Sequence, residues 1–267
     1  MTTTPSTAPD AAYRYWANLL AHRARRLDRD LVSQRVEQTF LELCRDLAPT
    51  VSLEIGAHQA DFSQWIKREV PPARCVAFEA NPYVHEKYSP LLADTGVEYL
   101  HLAISATSGT VELAIPREFH NAEQGRRYKK EKTNRMASLS HHRYAEKAET
   151  VDVPSVPLDD FVSLADDDVV VAWIDVEGAS GPVLSSGEKV LSRASLIYIE
   201  VESEQVWDGQ WLDLDVARFL AGRGLVPVLR DVQRPHQYNV VFAAAELAVH
   251  PRMARLANAA FRRKAAG

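Results

Sequence analysis

The chain has 267 residues, of which 46% are hydrophobic and 25% charged, enough to bury one substantial core. Its net charge of -5 argues against a general nucleic-acid binder, because such proteins usually carry a basic surface. The chain has two cysteines, Cys44 and Cys75, which provide neither a disulfide framework nor the spacing of a CxxC zinc motif. We therefore expect a reducing, cytoplasmic compartment. No apolar run is long enough for a membrane span, and the first residues lack the apolar core of a secretory signal.

The N-terminal part of the chain is predicted to form a tail followed by a helical region. Residues 1–10 are rich in Thr, Pro and Ala and predict a disordered tail. Apolar residues at helical spacing predict a helical extension over 11–48, which Pro49 ends. Such an extension could cover a sheet edge, shape a substrate mouth or form a homodimer, and the pattern does not choose among these.

Strands and helices alternate from residue 49 to residue 245, and apolar runs without strict alternation are typical of strands buried on both faces of a parallel sheet. The connection over 230–237 is too short for a helical crossover, so the last strand is predicted to be antiparallel. This seven-stranded, mostly parallel, Rossmann-like α/β fold is the arrangement of class I methyltransferases. We predict strands at 51–55, 74–78, 97–104, 169–174, 196–201, 225–229 and 238–243, helices at 60–70, 82–93, 182–191 and 212–221, and a C-terminal helix over 246–267.

An insertion over 116–150 breaks this rhythm between the third and fourth strands. It has few apolar residues and no clear period, so we predict an irregular loop. Long irregular loops in compact domains are often functional lids, which favours a substrate cap. Its basic stretch, 126–132, could hold a phosphate or an anionic glycan, although such runs are more often solvated surface.

The first predicted strand ends in Glu54, followed by Gly56, Ala57 and His58, and opens into a helix that contains Ser63. Glycine permits a tight turn close to a ligand, and a carboxylate at this place can hold a cofactor ammonium or hydroxyl group. The G-x-G-x-x-G fingerprint is absent, which disfavours a pyrophosphate and hence an NAD-dependent oxidoreductase. These residues therefore predict a cradle for a cofactor of another kind.

The second predicted strand ends in Glu79, followed by Ala80 and Asn81, before Pro82 begins a helix. A carboxylate at the end of the second strand can accept hydrogen bonds from both hydroxyls of a ribose. Glu79 is therefore the predicted ribose ligand.

Four carboxylates follow the fourth and fifth predicted strands: Asp175, Glu177, Glu200 and Glu202. Ligands of open α/β sheets bind beyond the carboxyl ends of the strands, so these groups should meet where a methyl acceptor would lie. A carboxylate there can orient the acceptor hydroxyl, take its proton or bind a divalent cation.

Several stretches between residues 51 and 202 together resemble the FkbM-type methyltransferases, and the I-D-V-E-G stretch is the most specific of them. The resemblance implies O-methylation by S-adenosylmethionine (AdoMet) of a sugar hydroxyl, or alternatively of a polyketide or other small-molecule hydroxyl, with Ala103 and Ile104 lining the adenine pocket. The stretches are Glu54-Ile55-Gly56-Ala57, Phe62-Ser63, Phe78-Glu79-Ala80-Asn81-Pro82, Leu102-Ala103-Ile104-Ser105, Val156-Pro157-Leu158-Asp159-Asp160-Phe161, Ile174-Asp175-Val176-Glu177-Gly178 and Ile199-Glu200.

The chain departs from the family pattern at three places. Asp61 or its neighbour stands where a second glycine is usual, Trp173 replaces a usual lysine, and Ser180 replaces a common acidic residue. These departures concern the choice of acceptor more than the choice of cofactor.

Methylation of an alkyl hydroxyl requires that its proton be lost during attack, and two routes are open. His142 or His141 of the insertion could act as the base, since histidine titrates near neutral pH. Alternatively, a Mg²⁺ ion held by Asp175 and Glu202 could acidify the hydroxyl. A non-catalytic binding protein is a further alternative, disfavoured because a scaffold has no need of these strand-end carboxylates.

Overall fold

A seven-stranded sheet forms the centre of the protein in a computed structural model that describes residues 8–25, 27–121 and 126–262. The helices are α1 Ala8–Ala24, α2 Arg29–Leu47, α3 Asp61–Glu69, α4 Pro82–Leu92, α5 Leu158–Phe161, α6 Ser180–Ser186, α7 Glu188–Leu191, α8 Asp213–Ala221, α9 Ala245–Ala248 and α10 Pro251–Ala260. The strands are β1 Val51–Ile55, β2 Arg74–Glu79, β3 Glu98–His101, β4 Ala103–Ile104, β5 Gly109–Asn121, β6 Arg126–Lys129, β7 Ala145–Val156, β8 Val170–Ile174, β9 Ala194–Glu202, β10 Leu225–Arg230 and β11 Gln237–Ala244.

The central sheet has the strand order β10-β11-β9-β8-β1-β2-β3. Neighbours from β9 to β3 pair in parallel, whereas β11 is antiparallel to both β9 and β10. This arrangement confirms the predicted Rossmann-like class I methyltransferase fold with an antiparallel last strand. The short connection before β11 allows only a hairpin, which is why the sequence could predict its direction.

Both faces of the central sheet are buried, as the unbroken apolar runs predict. In β8, Ala172 and Ile174 face one hydrophobic layer, whereas Val171 faces the other. Phe40 of α2 is completely buried in the second layer, and truncating such a side chain to alanine costs roughly 3–5 kcal/mol. The sheet is therefore a rigid platform for the groups at its carboxyl edge.

The N-terminal extension consists of two helices that cover different parts of the sheet. Helix α1 packs on α8 and on the edge strand β10, and α2 packs on α10 and α3. Asp28 separates the two helices and caps α2 by accepting a hydrogen bond from the Leu31 amide at 3.1 Å. Covering a sheet edge, one of the open alternatives, is thus a role of this extension.

The two ends of the chain differ from the predictions. Of the predicted disordered tail, residues 1–7 lie outside the described residues, whereas 8–10 belong to α1. The predicted C-terminal helix, of which 263–267 lie outside the described residues, is two helices over its described part, α9 and α10, because Pro251 cannot continue α9 and instead begins α10. Among the helices of the described residues, none is both long and apolar enough to cross a bilayer.

The insertion is not an irregular loop over its whole length, and this prediction was wrong. Strands β5, β6 and β7 pair antiparallel, and β4 joins them in a second sheet of order β4-β7-β5-β6. The sequence shows no alternation of apolar and polar residues here, because β7 is largely exposed and its polar residues form surface ion pairs, such as Lys147 with Glu118 at 3.1 Å. Among the described residues of the insertion, the segment 130–144 between β6 and β7 lacks regular strands.

The predicted third strand, 97–104, also divides between the two sheets. Leu102 separates β3, which pairs with β2, from β4, which pairs with β7. The second sheet therefore begins beside the end of β2 and holds the insertion next to the carboxyl edge of the central sheet.

Candidate active site

A cavity of about 510 Å³ opens at the carboxyl ends of β1, β2 and β8, where α/β sheets bind their ligands. Most predicted cofactor residues meet there, which the chain order alone could not show. Those that line the cavity are Glu54, Gly56, Ala57, His58, Glu79, Ala80, Asn81, Ala103, Ile104 and Asp175.

The turn after β1 lies as close to β8 as the backbone allows. Gly56 has a φ of +80°, and a Cβ atom there would lie 1.8 Å from the Asp175 carbonyl oxygen. The Gly56 and Ala57 amides both donate to the Phe78 carbonyl, at 3.0 and 2.9 Å. His58 also has a positive φ, of 47°, a strained conformation that is common at functional sites. Only glycine fits at position 56.

Glu54 is buried at the end of β1 and holds the start of α3. Its Oε2 accepts from the Ser63 amide at 2.7 Å and its Oε1 from the Phe62 amide at 3.3 Å. Burial raises the pKa of Glu54 to about 7, against the lowering effect of these hydrogen bonds. Ser63 thus serves this cap and does not line the cavity. Contact of Glu54 with a cofactor ammonium stays a prediction.

Glu79 is buried at the end of β2, with both carboxylate oxygens oriented by backbone amides. Oε2 accepts from the His58 amide at 2.7 Å, and Oε1 accepts from the Asn81 amide at 2.6 Å. Burial raises its pKa to about 7. Each oxygen keeps a further lone pair, so the carboxylate can still accept from two hydroxyl groups.

An apolar slot lies beside Glu79, between the two sheets. Ala103 and Ile104 of β4 form one side, as the family resemblance implies. Leu113 of β5 and Leu139 of the insertion also line the cavity, and sequence reasoning missed both. Pairing of the segments around Ala114 and Ser138 brings both residues to the slot. These segments are far apart in the chain, so no local sequence pattern predicts the contact.

Beyond β8, three carboxylates form a cluster: Asp175, Glu177 and Glu200 each offer an oxygen atom, all within 4.8 Å of one another. The Asp175 side chain is open to the cavity, whereas Glu177 and Glu200 are half-buried. Displacement of water by the surrounding protein raises the pKa of all three groups, that of Asp175 to about 6, and mutual repulsion raises those of Glu177 and Glu200 further. Gln237 donates to Glu200 Oε1 at 2.8 Å. The cluster can therefore bind a proton or a cation.

The turn that presents Glu177 is strained and held from two sides. Glu177 has a φ of 45°, in the left-handed region. A Cβ atom on the next residue, Gly178, would lie 2.3 Å from the Trp207 ring. The Ser138 hydroxyl of the insertion donates to the Glu177 carbonyl. The I-D-V-E-G stretch is thus fixed by the insertion and by the segment after β9.

Glu202 is not one of these three carboxylates, and the predicted metal pair of Asp175 and Glu202 stays a prediction. It is buried, and its Oε2 accepts from Gln210 Nε2 at 3.1 Å. Gln210 in turn accepts from the Trp207 amide at 2.6 Å. Glu200 and Glu202 share a face of β9, and only the structure shows that Glu202 is held by the following loop.

Neither histidine of the insertion is among the described residues that line the cavity, and the same holds for Glu177 and Glu200. His142 packs edge-on against Trp207, and its Nδ1 accepts from the Tyr144 amide at 3.1 Å. Burial lowers the pKa of His142. His141 is exposed, with its Nε2 3.4 Å from Glu112. The role of His142 or His141 as the base therefore stays a prediction.

The other end of the cavity lies between α2 and α3 and is lined by aromatic and charged side chains. Glu37 comes from α2, Trp65 and Arg68 come from α3, and Trp173 comes from β8. Trp173 stacks on Tyr198 at 3.9 Å between ring centroids. In the sequence, Trp173 stood out as a departure from the family pattern. Because Glu37 belongs to α2, this helix also shapes the mouth of the site.

Residues 54–227 match the sequence model of the methyltransferase FkbM domain. The chain belongs to the FkbM methyltransferase family. As a member of this family it is a methyltransferase, and the alternative of an NAD-dependent oxidoreductase loses its support.

Known proteins similar to this FkbM methyltransferase share little sequence with it. The 2-O-methyltransferase NoeI of Sinorhizobium fredii (strain NBRC 101917 / NGR234) is 23% identical over 186 residues, which cover 67% of this chain and 73% of that protein. The crystal structure of the methyltransferase FkbM from Methylobacillus flagellatus KT is 10% identical with a TM-score of 0.47, covering 73% of this chain and 44% of that one. The chain thus spans less than half of that relative.

A third similar protein has been crystallised with ligands. It is the 1,6-didemethyltoxoflavin-N1-methyltransferase of Burkholderia thailandensis, with bound 1,6-didemethyltoxoflavin and S-adenosylhomocysteine. It is 13% identical to this chain, with a TM-score of 0.39, and the match covers 91% of this chain and 93% of that protein.

Proposed function

We propose that this FkbM methyltransferase transfers the methyl group of AdoMet to a hydroxyl oxygen of a saccharide. The observation that carries the proposal is the single cavity that joins Glu79, the Gly56 turn and Asp175. Glu79 offers acceptors for hydroxyl groups beside an apolar slot, and Asp175 links the same cavity to the carboxylate cluster. A nucleoside with a charged amino-acid arm matches this order of groups.

Each part of AdoMet has a counterpart in the cavity. The ribose hydroxyls would donate to Glu79, whose oxygens are already oriented by backbone amides. The adenine ring would enter the slot beside Ala103 and Ile104. The amino-acid arm would then cross the Gly56 turn toward Asp175. This placement directs the sulfonium methyl toward the cluster of Asp175, Glu177 and Glu200.

The cluster supplies the proton acceptor that the reaction needs. As the oxygen–methyl bond forms, the methyl–sulfur bond breaks in line with it and S-adenosylhomocysteine leaves. The acceptor hydroxyl would give its proton to Glu177 or Glu200, whose carboxylate oxygens lie within 4.8 Å of that of the cavity-lining Asp175. These carboxylates replace the histidines in this role.

A Mg²⁺ ion is the second candidate for the same step, favoured by the three carboxylate oxygens within 4.8 Å of one another. Mg²⁺ prefers oxygen ligands and keeps several waters, so Asp175, Glu177 and Glu200 fit it better than the predicted pair with Glu202. A bound ion would lower the pKa of the acceptor hydroxyl.

The aromatic end of the cavity supports a saccharide acceptor. Sugar rings combine an apolar face with polar edges, and the rings of Trp65 and Trp173 match the first, while Glu37 and Arg68 match the second. The 2-O-methyltransferase NoeI, as its name states, methylates an oxygen. A polyketide hydroxyl remains the alternative acceptor.

Binding and turnover test this proposal in two steps. Calorimetry should show binding of AdoMet and no binding of NAD. Incubation of labelled AdoMet with a panel of glycosides and a panel of polyketide alcohols should then give a methyl ether of a glycoside, identified by mass spectrometry. Binding of NAD alone would reject the methyl donor, methylation of polyketides only would reject the saccharide, and binding without any turnover would favour a non-catalytic protein.

A further inference from the structure

The segment between β6 and β7 crosses the cavity and is anchored at both ends. The Asn81 side chain donates to the Lys132 carbonyl at 2.8 Å, next to the ribose-binding Glu79. The Ser138 amide donates to the Ala114 carbonyl at 2.9 Å. Arg135 lies between these two anchors and lines the cavity. Its position over the site is therefore set by the fold.

Arg135 is exposed and lines the same cavity as Asp175 and His58. Its guanidinium acts electrostatically on Asp175 and on His58 through space, without a hydrogen bond to either. The other arginine that lines the cavity, Arg68, lies on α3 at the opposite, aromatic end. One anion and one cation, Asp175 and Arg135, thus face the same space beside the Gly56 turn.

We propose that Arg135 binds the α-carboxylate of AdoMet while Asp175 binds its α-ammonium. The inference rests on the proposed function, because it assigns the amino-acid arm of that cofactor. With the ribose on Glu79, the arm extends across the turn after β1 and brings a zwitterion between two opposite charges. A guanidinium fork matches the two oxygens of a carboxylate, which makes arginine well suited to this contact.

The assignment also gives the insertion a role in cofactor binding. Arg135 belongs to the inserted segment, whereas Asp175 belongs to the central sheet. A cofactor that touches both would tie the segment over the cavity to the sheet below it. The basic stretch that the sequence pointed to, 126–132, precedes this residue, and its residues 127–132 do not line the cavity.

Two ligands distinguish a direct contact between Arg135 and the α-carboxylate from a purely structural role of Arg135. S-adenosylhomocysteine carries the amino-acid arm, and 5′-methylthioadenosine keeps the nucleoside and the sulfur but lacks it. Calorimetry should show that Arg135→Ala weakens binding of S-adenosylhomocysteine by roughly 30-fold or more, as expected when one partner of a charge pair is removed. Binding of 5′-methylthioadenosine should stay within about twofold, because its contacts remain. Arg135→Lys should fall between the two.

Arg127→Ala is the matched control, since Arg127 is an exposed arginine of the same insertion that pairs with Glu146 at 3.0 Å. It should change neither affinity. Decarboxylated AdoMet, which keeps the ammonium, should be insensitive to Arg135→Ala and sensitive to Asp175→Asn. Equal weakening of both nucleosides by Arg135→Ala, or no weakening of either, would overturn the assignment. If the wild-type protein binds neither nucleoside, the proposed function itself fails.

Discussion

Two groups of carboxylates at the same sheet edge differ in how they are held. Glu54 and Glu79, after β1 and β2, each accept two backbone amides. Asp175, Glu177 and Glu200, after β8 and β9, face one another. The first group is oriented before any ligand arrives and suits recognition, whereas the second keeps its capacity for a proton or a cation and suits chemistry. Changes at Glu54 and Glu79 should therefore alter affinity, and changes at Glu177 and Glu200 should alter turnover, whereas Asp175, as the proposed ammonium ligand, should affect both.

The largest effect is expected in the cluster. Glu177→Gln and Glu200→Gln remove a proton acceptor, and we expect kcat to fall by roughly 10²–10⁴-fold while AdoMet affinity changes little. Glu204→Gln is the control, because Glu204 is an exposed residue just beyond β9 that pairs with His236. Steady-state kinetics with calorimetry measures both quantities. A loss of affinity equal to the loss of turnover would remove the distinction between the two groups.

The same assay decides between the proton route and the metal route. If Glu177 and Glu200 accept the proton directly, EDTA should leave turnover unchanged and elemental analysis should find no stoichiometric metal. Inhibition by EDTA that Mg²⁺ reverses would instead assign the three carboxylates as metal ligands.

The next largest effect is expected at the turn that joins the two groups. Gly56→Ala places a Cβ atom 1.8 Å from the Asp175 carbonyl oxygen, at a φ of +80°. We expect AdoMet affinity to fall by roughly 100-fold, about 3 kcal/mol, or folding to fail. Gly222→Ala is the control, since its Cβ atom would meet nothing closer than 3.5 Å. Calorimetry and thermal unfolding report both outcomes, and unchanged affinity would show that the turn can move.

A smaller effect is expected when Glu79 loses its charge but keeps its shape. Glu79→Gln weakens two charge-assisted hydrogen bonds to the ribose, and AdoMet affinity should fall by roughly 10- to 100-fold, about 1.5–3 kcal/mol. Glu98→Gln, at an exposed carboxylate of β3 paired with Arg74 at 2.9 Å, should have no effect. Unchanged affinity in folded Glu79→Gln would remove this residue from the site.

The smallest effect is the dependence of binding on pH. Burial raises the pKa of Glu79 to about 7 and that of Asp175 to about 6, so both bind protons in the free protein as the pH falls below these values. Binding of AdoMet favours the ionised forms, and affinity should therefore decline by roughly tenfold between pH 8 and pH 6. Glu79→Gln should flatten this decline. Calorimetry across this range measures it, and stronger binding at low pH would contradict the assignment.

Local patterns were sufficient for the central sheet and for the turn at the end of its first strand, whereas the cofactor roles of Glu54 and Glu79 stay predictions. Apolar runs, the glycine turn after Glu54 and the strand-end Glu79 are features of consecutive residues, and backbone geometry translates them directly into strands and turns. The antiparallel last strand follows in the same way from a connection too short for a crossover. These predictions hold because the covalent chain itself brings the interacting groups together.

Only the tertiary structure decided what faces the reacting groups. Glu200 and Glu202 have the same place in the pattern of β9, yet one joins the cluster and the other is held by Gln210. Arg135 reaches the cavity because strand pairing folds the insertion back over the sheet, and His142 packs on Trp207 instead. Contacts between residues far apart in the chain depend on the packing of whole elements, and short sequence patterns carry no record of them.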